Sequence, residues 1–415
     1  FLDFFDGQFP MRVSVNPLRA EELFRQFEYL RRPNLQQGLS DYDAGEHIYA
    51  GYLMGDLKVG ERFNVVGGVR YEAFDGNYGA YQRFNYGEFI SGDKIQTNGT
   101  LEWKNASQQY GQWLPMVNVK YGILQNSEKG YGLDLRLAAT KALTRPDFYN
   151  LTPYVTINSS ANTIERSEPA LLPTVAWNYD AFLTLYSGRL GLFSVGGFYK
   201  ELENVELLYG RQEGAEVVEQ RFGEAFGLKT AYNIIEPINS TAPTFVRGLE
   251  LEVQTNLSWL PKPFDGIVIY GNVSRINSQT QYPKRIVFFD FETFKTVTID
   301  TTRQGGLPGQ SRDIGNFSLG YDKGNFSGRI SYNFQGEAIN FIGGNNELDG
   351  FTADYARIDF SAKYKLTKQI SLQAHINNLL NRFDAGFIGD DRKPGSSSIF
   401  GTMFWLGIRY SASGQ

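Results

Sequence analysis

The feature that most constrains this chain is a strict two-residue alternation of apolar and strongly polar side chains, repeated in segments of about ten to fourteen residues. In 62–72, Phe63, Val65, Gly67, Val69 and Tyr71 share one face, and Asn64, Gly68, Arg70 and Glu72 share the other. Leu249, Leu251 and Val253 alternate with Glu250, Glu252 and Gln254. Ile358, Phe360, Ala362 and Tyr364 alternate with Asp359, Ser361 and Lys363, and Ile370, Leu372, Ala374 and Ile376 with Ser371, Gln373, His375 and Asn377. Successive side chains of a strand point to opposite faces, so each segment is a strand with one apolar and one wet face. Strands of soluble sheets usually run five or six residues. These are long enough to cross a bilayer at a tilt, and their second face is too charged for a packed core.

The expected fold is therefore all-β, a transmembrane antiparallel β-barrel with apolar residues toward lipid and polar residues toward the lumen. Composition agrees: 45 Gly, 25 Tyr, 32 Phe and no Cys among 415 residues, with a net charge of −5. No run approaches the roughly 20 apolar residues of a membrane helix. The charge balance argues against a nucleic-acid partner, and without Cys and with two His the usual zinc sites are not available.

Thirteen strands are predicted, at about 46–57, 62–74, 113–125, 131–143, 173–187, 189–202, 245–258, 266–280, 313–323, 325–336, 353–366, 368–381 and 398–411. Their connections alternate between short and long, with long ones at about 75–112, 144–172, 203–244, 281–312, 337–352 and 382–397. Short turns of such barrels are periplasmic and long loops extracellular. Residues 1–45 then form an extracellular segment with a short helix over about 17–30, residues 46–411 the barrel, and 412–415 a tail. An odd count whose first strand descends predicts further strands upstream, because an open edge is not viable in lipid. A complete passive channel of about 14 strands is the rival.

Several segments, in order, resemble TonB-dependent outer-membrane receptors. Ala50-Gly51-Tyr52-Leu53 followed by Gly68-Val69-Arg70-Tyr71-Glu72 is similar to their "AgYl … GvRyE" hairpin. Leu114-Pro115-Met116-Val117-Asn118-Val119-Lys120-Tyr121 is similar to "lPslnlkY", and Arg145-Pro146-Asp147-Phe148 to "RPdf". Asn178-Tyr179-Asp180, Gly248-Leu249-Glu250-Leu251-Glu252 and Asn377-Asn378-Leu379-Leu380-Asn381 follow in the same way. The flavour is that of receptors common in Bacteroidota. The resemblance implies a 22-stranded barrel around a plug domain that this sequence does not contain. It also implies location in the outer membrane of a Gram-negative bacterium and active import of a scarce nutrient (siderophore, glycan, peptide or similar).

No catalytic constellation is found, so an enzyme is not expected. Neither cofactor nor metal is expected; oxygen-rich loops could take Ca²⁺ but lack a specific ligand spacing. Ligand binding is assigned to loop aromatics and neighbours: Tyr78, Tyr81, Arg83, Tyr86, Trp103, Tyr110, Phe341 and Phe387. Rigid aromatics on a polar background bind at low entropic cost. Arg70, Glu72, Glu250, Glu252, Lys363 and His375 are expected to face the lumen and a plug. The expected partners are outer-membrane lipids, the TonB complex acting through the plug, and a surface lipoprotein that forms a lid or makes the barrel a docking platform.

Overall fold

The computed structural model describes residues 41–412, except 92–93, 127–129, 159–160 and 224–227; for 83–91, 94–101, 223, 287 and 296 it describes backbone only. The expected helix at 17–30 lies outside the described residues. In chain order the strands begin with β1 (Tyr42–Val59), β2 (Phe63–Ser91), β3 (Lys94–Asn126), β4 (Tyr131–Thr144), β5 (Val155–Asn158) and β6 (Thr163–Arg166). Then come β7 (Thr174–Ser187), β8 (Gly191–Glu203), β9 (Glu206–Glu213), β10 (Tyr232–Asn239), β11 (Thr244–Asn256) and β12 (Ile267–Asp290). β13 (Lys295–Gly305), β14 (Asp313–Lys323), β15 (Phe326–Gln335), β16 (Ala338–Phe341) and β17 (Gly350–Thr352) follow. The last are β18 (Tyr355–Lys365), β19 (Ile370–Asn377), β20 (Asp384–Ile388), β21 (Asp390–Ser398) and β22 (Met403–Tyr410).

One antiparallel sheet forms the wall, in the order β1-β2-β3-β4-β7-β8-β11-β12-β14-β15-β18-β19-β22, with β13 paired to the upper part of β12. Every second pair of neighbours in the wall is joined by a short turn, and from β4 onward the pairs between them are joined by the long connections. Gly60, Gly130 and Gly324 hold φ of 61°, 61° and 58° in three of those turns, a region in which other residues are strained. Among the described residues, β1 and β22 are each hydrogen-bonded on one side only.

The alternation becomes two chemically distinct faces. On the apolar face Leu249, Leu251, Val273, Phe317 and Ile330 are all exposed, which is stable only against hydrocarbon. Trp177, Tyr179, Tyr199 and Phe245 form an aromatic chain with ring centroids 6.2–6.3 Å apart, and Tyr71 meets Trp113 at 4.7 Å. This upper belt sits where aromatic rings prefer the lipid–water boundary. The polar face is laced across strands: Asn316 donates to Asn272 at 3.0 Å, Thr184 and Ser194 meet at 3.0 Å, and Lys120 pairs with the buried Asp134 at 2.9 Å.

The segment expected as a loop over 75–112 is corrected. It is the continuation of β2 and β3, which stay in register from Phe63↔Tyr121 out to Ser91↔Lys94, with one irregularity between Phe84 and Gly87. Its alternation is interrupted by Gly and Asn, which hides the strand period from the sequence. The expected hairpin within 281–312 is present, pairing Thr280↔Gly305 through Asp290↔Lys295. The other long connections build two small sheets, β5-β6-β10-β9 and β16-β17-β20-β21. They fold toward the polar face, where Gln82 and Gln108 of the wall donate to the carbonyls of Pro153 and Leu171.

The two faces predict opposite mutational outcomes. Leu251→Arg should cost about 2–4 kcal/mol near the midplane of a bilayer, read as a lower urea midpoint for the protein folded in vesicles. Glu252→Gln, one residue along on the wet face, should stay within about 0.5 kcal/mol.

Candidate functional site

The long connections acquire cores of their own. Val155, Ile164, Val218, Phe222, Leu228, Tyr232 and Ile234 form one buried cluster around β5-β6-β10-β9. A second, Val205, Leu207, Tyr282 and Ile342, joins that sheet to β12 and to the end of β16. A bridge between Tyr209 and Ile342 ties the two small sheets together. Segments of this length would otherwise be mobile; burial of their own apolar residues makes them a structured cap.

Charges lock the cap. Glu236 receives Arg211 at 2.6 Å, Arg166 at 3.2 Å and Arg221 at 3.4 Å. Arg211 also holds Glu213 at 2.6 Å, and Arg285 bridges Glu213 at 2.6 Å to Asp300 at 2.7 Å. The chain of ions thus runs through three separate connections. Burial opposes ionisation of Glu213, but hydrogen bonds from Arg211 and Arg285 outweigh it and hold its carboxyl below the ordinary value. Glu206 differs: burial dominates and raises it, only partly offset by Asn150, whose amide donates at 2.6 Å. Burial also pushes the Tyr282 hydroxyl up to about 12.

A second clamp orders the other sheet. Arg303 binds Asp349 through both terminal nitrogens, at 2.5 and 3.0 Å, and donates to the Gly343 carbonyl at 3.1 Å. Asp349 accepts the Gly343 amide at 2.9 Å, and its own carbonyl accepts Gly389 N–H at 2.7 Å. Both side chains are under a tenth exposed, so each depends on the other for charge compensation.

Between the two small sheets lies a cleft of about 480 Å³ lined by Gly210 and Asn233 on one side and by Asn340, Phe341, Phe351, Phe387 and several glycines on the other. Phe351 and Phe387 stack at 5.0 Å with planes 10° apart. Gly386 is required by close approach, since a Cβ there would sit 2.9 Å from the Phe351 carbonyl. None of the lining side chains is charged. Ring faces, backbone amides and carboxamides suit the uncharged, flat face of a ligand.

Of the residues singled out in the sequence, Phe341 and Phe387 meet in this cleft. Tyr78 and Tyr110 lie elsewhere, on the polar face of β2 and β3. Tyr78 donates to Glu46 at 2.8 Å and packs on Leu151 and Leu171, while Tyr110 stacks on Phe74 at 4.6 Å. Tyr81 and Trp103 form an edge-to-face pair at 4.8 Å on the opposite face of the hairpin. The side chains of Arg83 and Tyr86 lie outside those described. Glu72 takes Arg70 at 2.7 Å and Arg145 at 2.6 Å. Ser274 donates to Glu250 at 3.5 Å, and the His375 ring rests 5.2 Å from Trp405. Glu252 and Lys363 share that polar face by register. Sequence reasoning missed Phe351 and the Arg303–Asp349 clamp; each partner comes from a different connection, and no spacing encodes that.

Two outcomes follow for the cap. Asp349→Ala leaves Arg303 buried and unpaired, which costs about 3–5 kcal/mol; hydrogen exchange should lose protection over 338–352 while 244–256 keeps its own. Glu213, held below its ordinary 4.5, stabilises the cap above that value and ceases to as pH falls through its lower folded value. The protection factors over 206–213, exchange measured against the intrinsic rate at each pH, should therefore fall below about pH 4.5, and Glu213→Gln should remove that part of the pH dependence.

The comparisons with known proteins agree with this architecture. The family model described as "TonB dependent receptor-like, beta-barrel" matches residues 6–379. The chain is similar in fold to the hemophore receptor HasR of Serratia marcescens, solved with its hemophore and heme (TM-score 0.58, 14% identity, 88% of this chain and 51% of that one). It is similar to the ferric-catecholate import receptor Fiu of E. coli K12 (0.58, 13%, 89% and 45%) and to the copper transporter OprC (0.57, 14%, 89% and 48%). The chain spans about half the length of these structures. No curated protein matches in sequence. The chain belongs to the TonB-dependent receptor β-barrel family, whose members sit in the outer membrane of Gram-negative bacteria.

Proposed function

We propose that this chain is the C-terminal part of the barrel of an active importer, which captures a scarce nutrient at its extracellular cap and passes it inward in a TonB-coupled step. The observation that carries the reading is the matched family together with a cap that is internally locked and folded toward the polar face. A passive channel needs no such cap. The similar structures are import receptors and a transporter by their titles, which supports uptake without naming the cargo. In this reading a plug would occupy the lumen of the working barrel.

In this reading Phe341, Phe351 and Phe387 contact the uncharged face of the ligand. Arg70, Glu72, Glu250, Glu252, Lys363 and His375 present a wet wall to the plug. The same barrel would act as a transporter and not as an enzyme.

The test is uptake by intact cells that carry or lack the full-length gene, offered radiolabelled ferric siderophores, cobalamin, oligosaccharides and peptides in turn. At least one should accumulate only with the gene present, and a protonophore or loss of TonB should abolish that accumulation. Phe387→Ala together with Phe351→Ala should raise the half-saturating concentration about tenfold, the scale set by losing buried ring contacts. Energy-independent flux of small solutes through the protein in liposomes would instead establish a passive channel. Uptake that persists only while a co-purifying lipoprotein is present would establish a platform.

A further inference from the structure

The β12–β13 hairpin extends well past the wall. β12 parts from β11 at Gln279, level with Phe245 of the aromatic belt, and runs on to Asp290, roughly 35 Å of further strand. Its tip is ordered, since Asp290 accepts the Glu292 amide at 2.8 Å and the Thr293 hydroxyl at 2.6 Å. The tip is also apolar. Phe291 and Phe294 are 79% and 78% exposed, and both meet Phe289 edge to face. Below them Ile286 and Ile299 lie opposite each other by register and are exposed, as is Phe288. Phe294 holds φ of 54°, where a ring-bearing residue is strained and Gly or Asn is at ease. Neither solubility nor the turn calls for phenylalanine there.

The hairpin has an open edge as well. β13 pairs with β12 along one side and, among the described residues, with no strand along the other. Over 295–302 that edge carries no Pro, no Gly and no bulge, and six of its eight residues are β-branched. Sheets normally blunt such an edge, and the opposite flank of this hairpin is blunted by Pro283. Because Pro283 has no N–H, the ladder bonds fall on the pairs flanking Pro283↔Thr302. Thr298, Asp300 and Thr302 therefore turn their N–H and C=O groups to the open side.

We propose that β13 is a docking edge for a second polypeptide, a protein at the cell surface. Its extended segment pairs with 295–302 and sets apolar side chains beside Val297 and Ile299, and its apolar surface receives the phenylalanine tip. The occupant follows from the chemistry of the edge, because a row of alternating N–H and C=O groups is satisfied throughout only by another extended backbone. The exposed Ile286, Phe288, Phe289, Phe291, Phe294 and Ile299 offer roughly 700 Å², near the roughly 800 Å² that each side of a stable protein interface buries. Lipid is out of reach at that height. A second copy in the same membrane does not fit. Both hairpins would point outward, so the two-fold axis relating them would run along the strands and set each N–H of the edge against its own copy. The edge is independent of what is imported.

The test uses the full-length protein in nanodiscs. The probe is a synthetic peptide copying Lys284–Asp290, the strand that β13 already accepts on its other side. It should bind saturably and raise hydrogen-exchange protection over 295–302 at least about tenfold, the scale of two or three backbone bonds. Two isomeric peptides, N-methylated at odd or at even positions, separate strand pairing from apolar adhesion. One should bind like the parent and the other at least about tenfold more weakly. Thr298→Pro removes an outward N–H and should weaken the parent peptide to the same degree while 285–290 stays protected. If that variant loses the hairpin, the methylated pair decides alone. On cells of the native host, a photo-reactive amino acid in place of Phe291 should give a protein adduct that both Thr298→Pro and Phe294→Gly remove. Phe294→Gly relieves the turn and should keep peptide binding, so its lost adduct reports the tip. Equal affinity of the two methylated peptides, protection of 295–302 before any peptide is added, an absent adduct, or one that survives Thr298→Pro in a folded hairpin overturns the docking edge.

Discussion

The structure depends on one constraint: backbone N–H and C=O groups in hydrocarbon have no water to bond to and must satisfy one another. Among the described residues, thirteen antiparallel strands do so in one continuous sheet from β1 to β22. With the backbone accounted for, side chains are free to specialise by face. Leu249, Leu251 and Val273 lie exposed on the apolar face, while on the other face Ser274 donates to Glu250 and Asn316 to Asn272. The aromatic chain from Trp177 to Phe245 marks where the two solvents meet.

Outside the membrane the constraint relaxes and different physics takes over. The long connections leave the ladder, so they must bury apolar residues against each other to stay ordered. They do so in the clusters around Ile234 and Tyr282. Buried arginine–carboxylate pairs then select which connections meet. Arg211 and Arg285 each engage two carboxylates, and Arg303 reaches across to Asp349. Such pairs add little net stability but cost heavily when one partner is removed, so they act mainly to enforce a single arrangement. The uncharged cleft around Phe387 is a by-product of that arrangement, held open by glycines where backbones approach closely.

Much of the wall was legible because the sheet imposes its period on the sequence directly. The expected strands at 131–143 and 313–323 coincide closely with Tyr131–Thr144 and Asp313–Lys323. The lumen-side residues Glu72 and His375 fell on the polar face by parity alone. Legibility failed where the period is diluted. Between Asp75 and Gln112 the glycines and asparagines read as a loop, yet cross-strand pairs such as Tyr81–Trp103 continue the hairpin. It stops short at the cap as well: that Tyr78 is buried against Leu151 is set by a partner about 70 residues away, which no local pattern records.

The sequence by itself determined which residues face lipid and which face water, since alternation at period two is a local property of each strand. Tertiary structure alone decided that Phe341 and Phe387 share a cleft while Tyr78 and Trp103 point to opposite faces of one hairpin. These are distances between strands and connections remote in the chain, fixed by register and packing, and no local pattern records them.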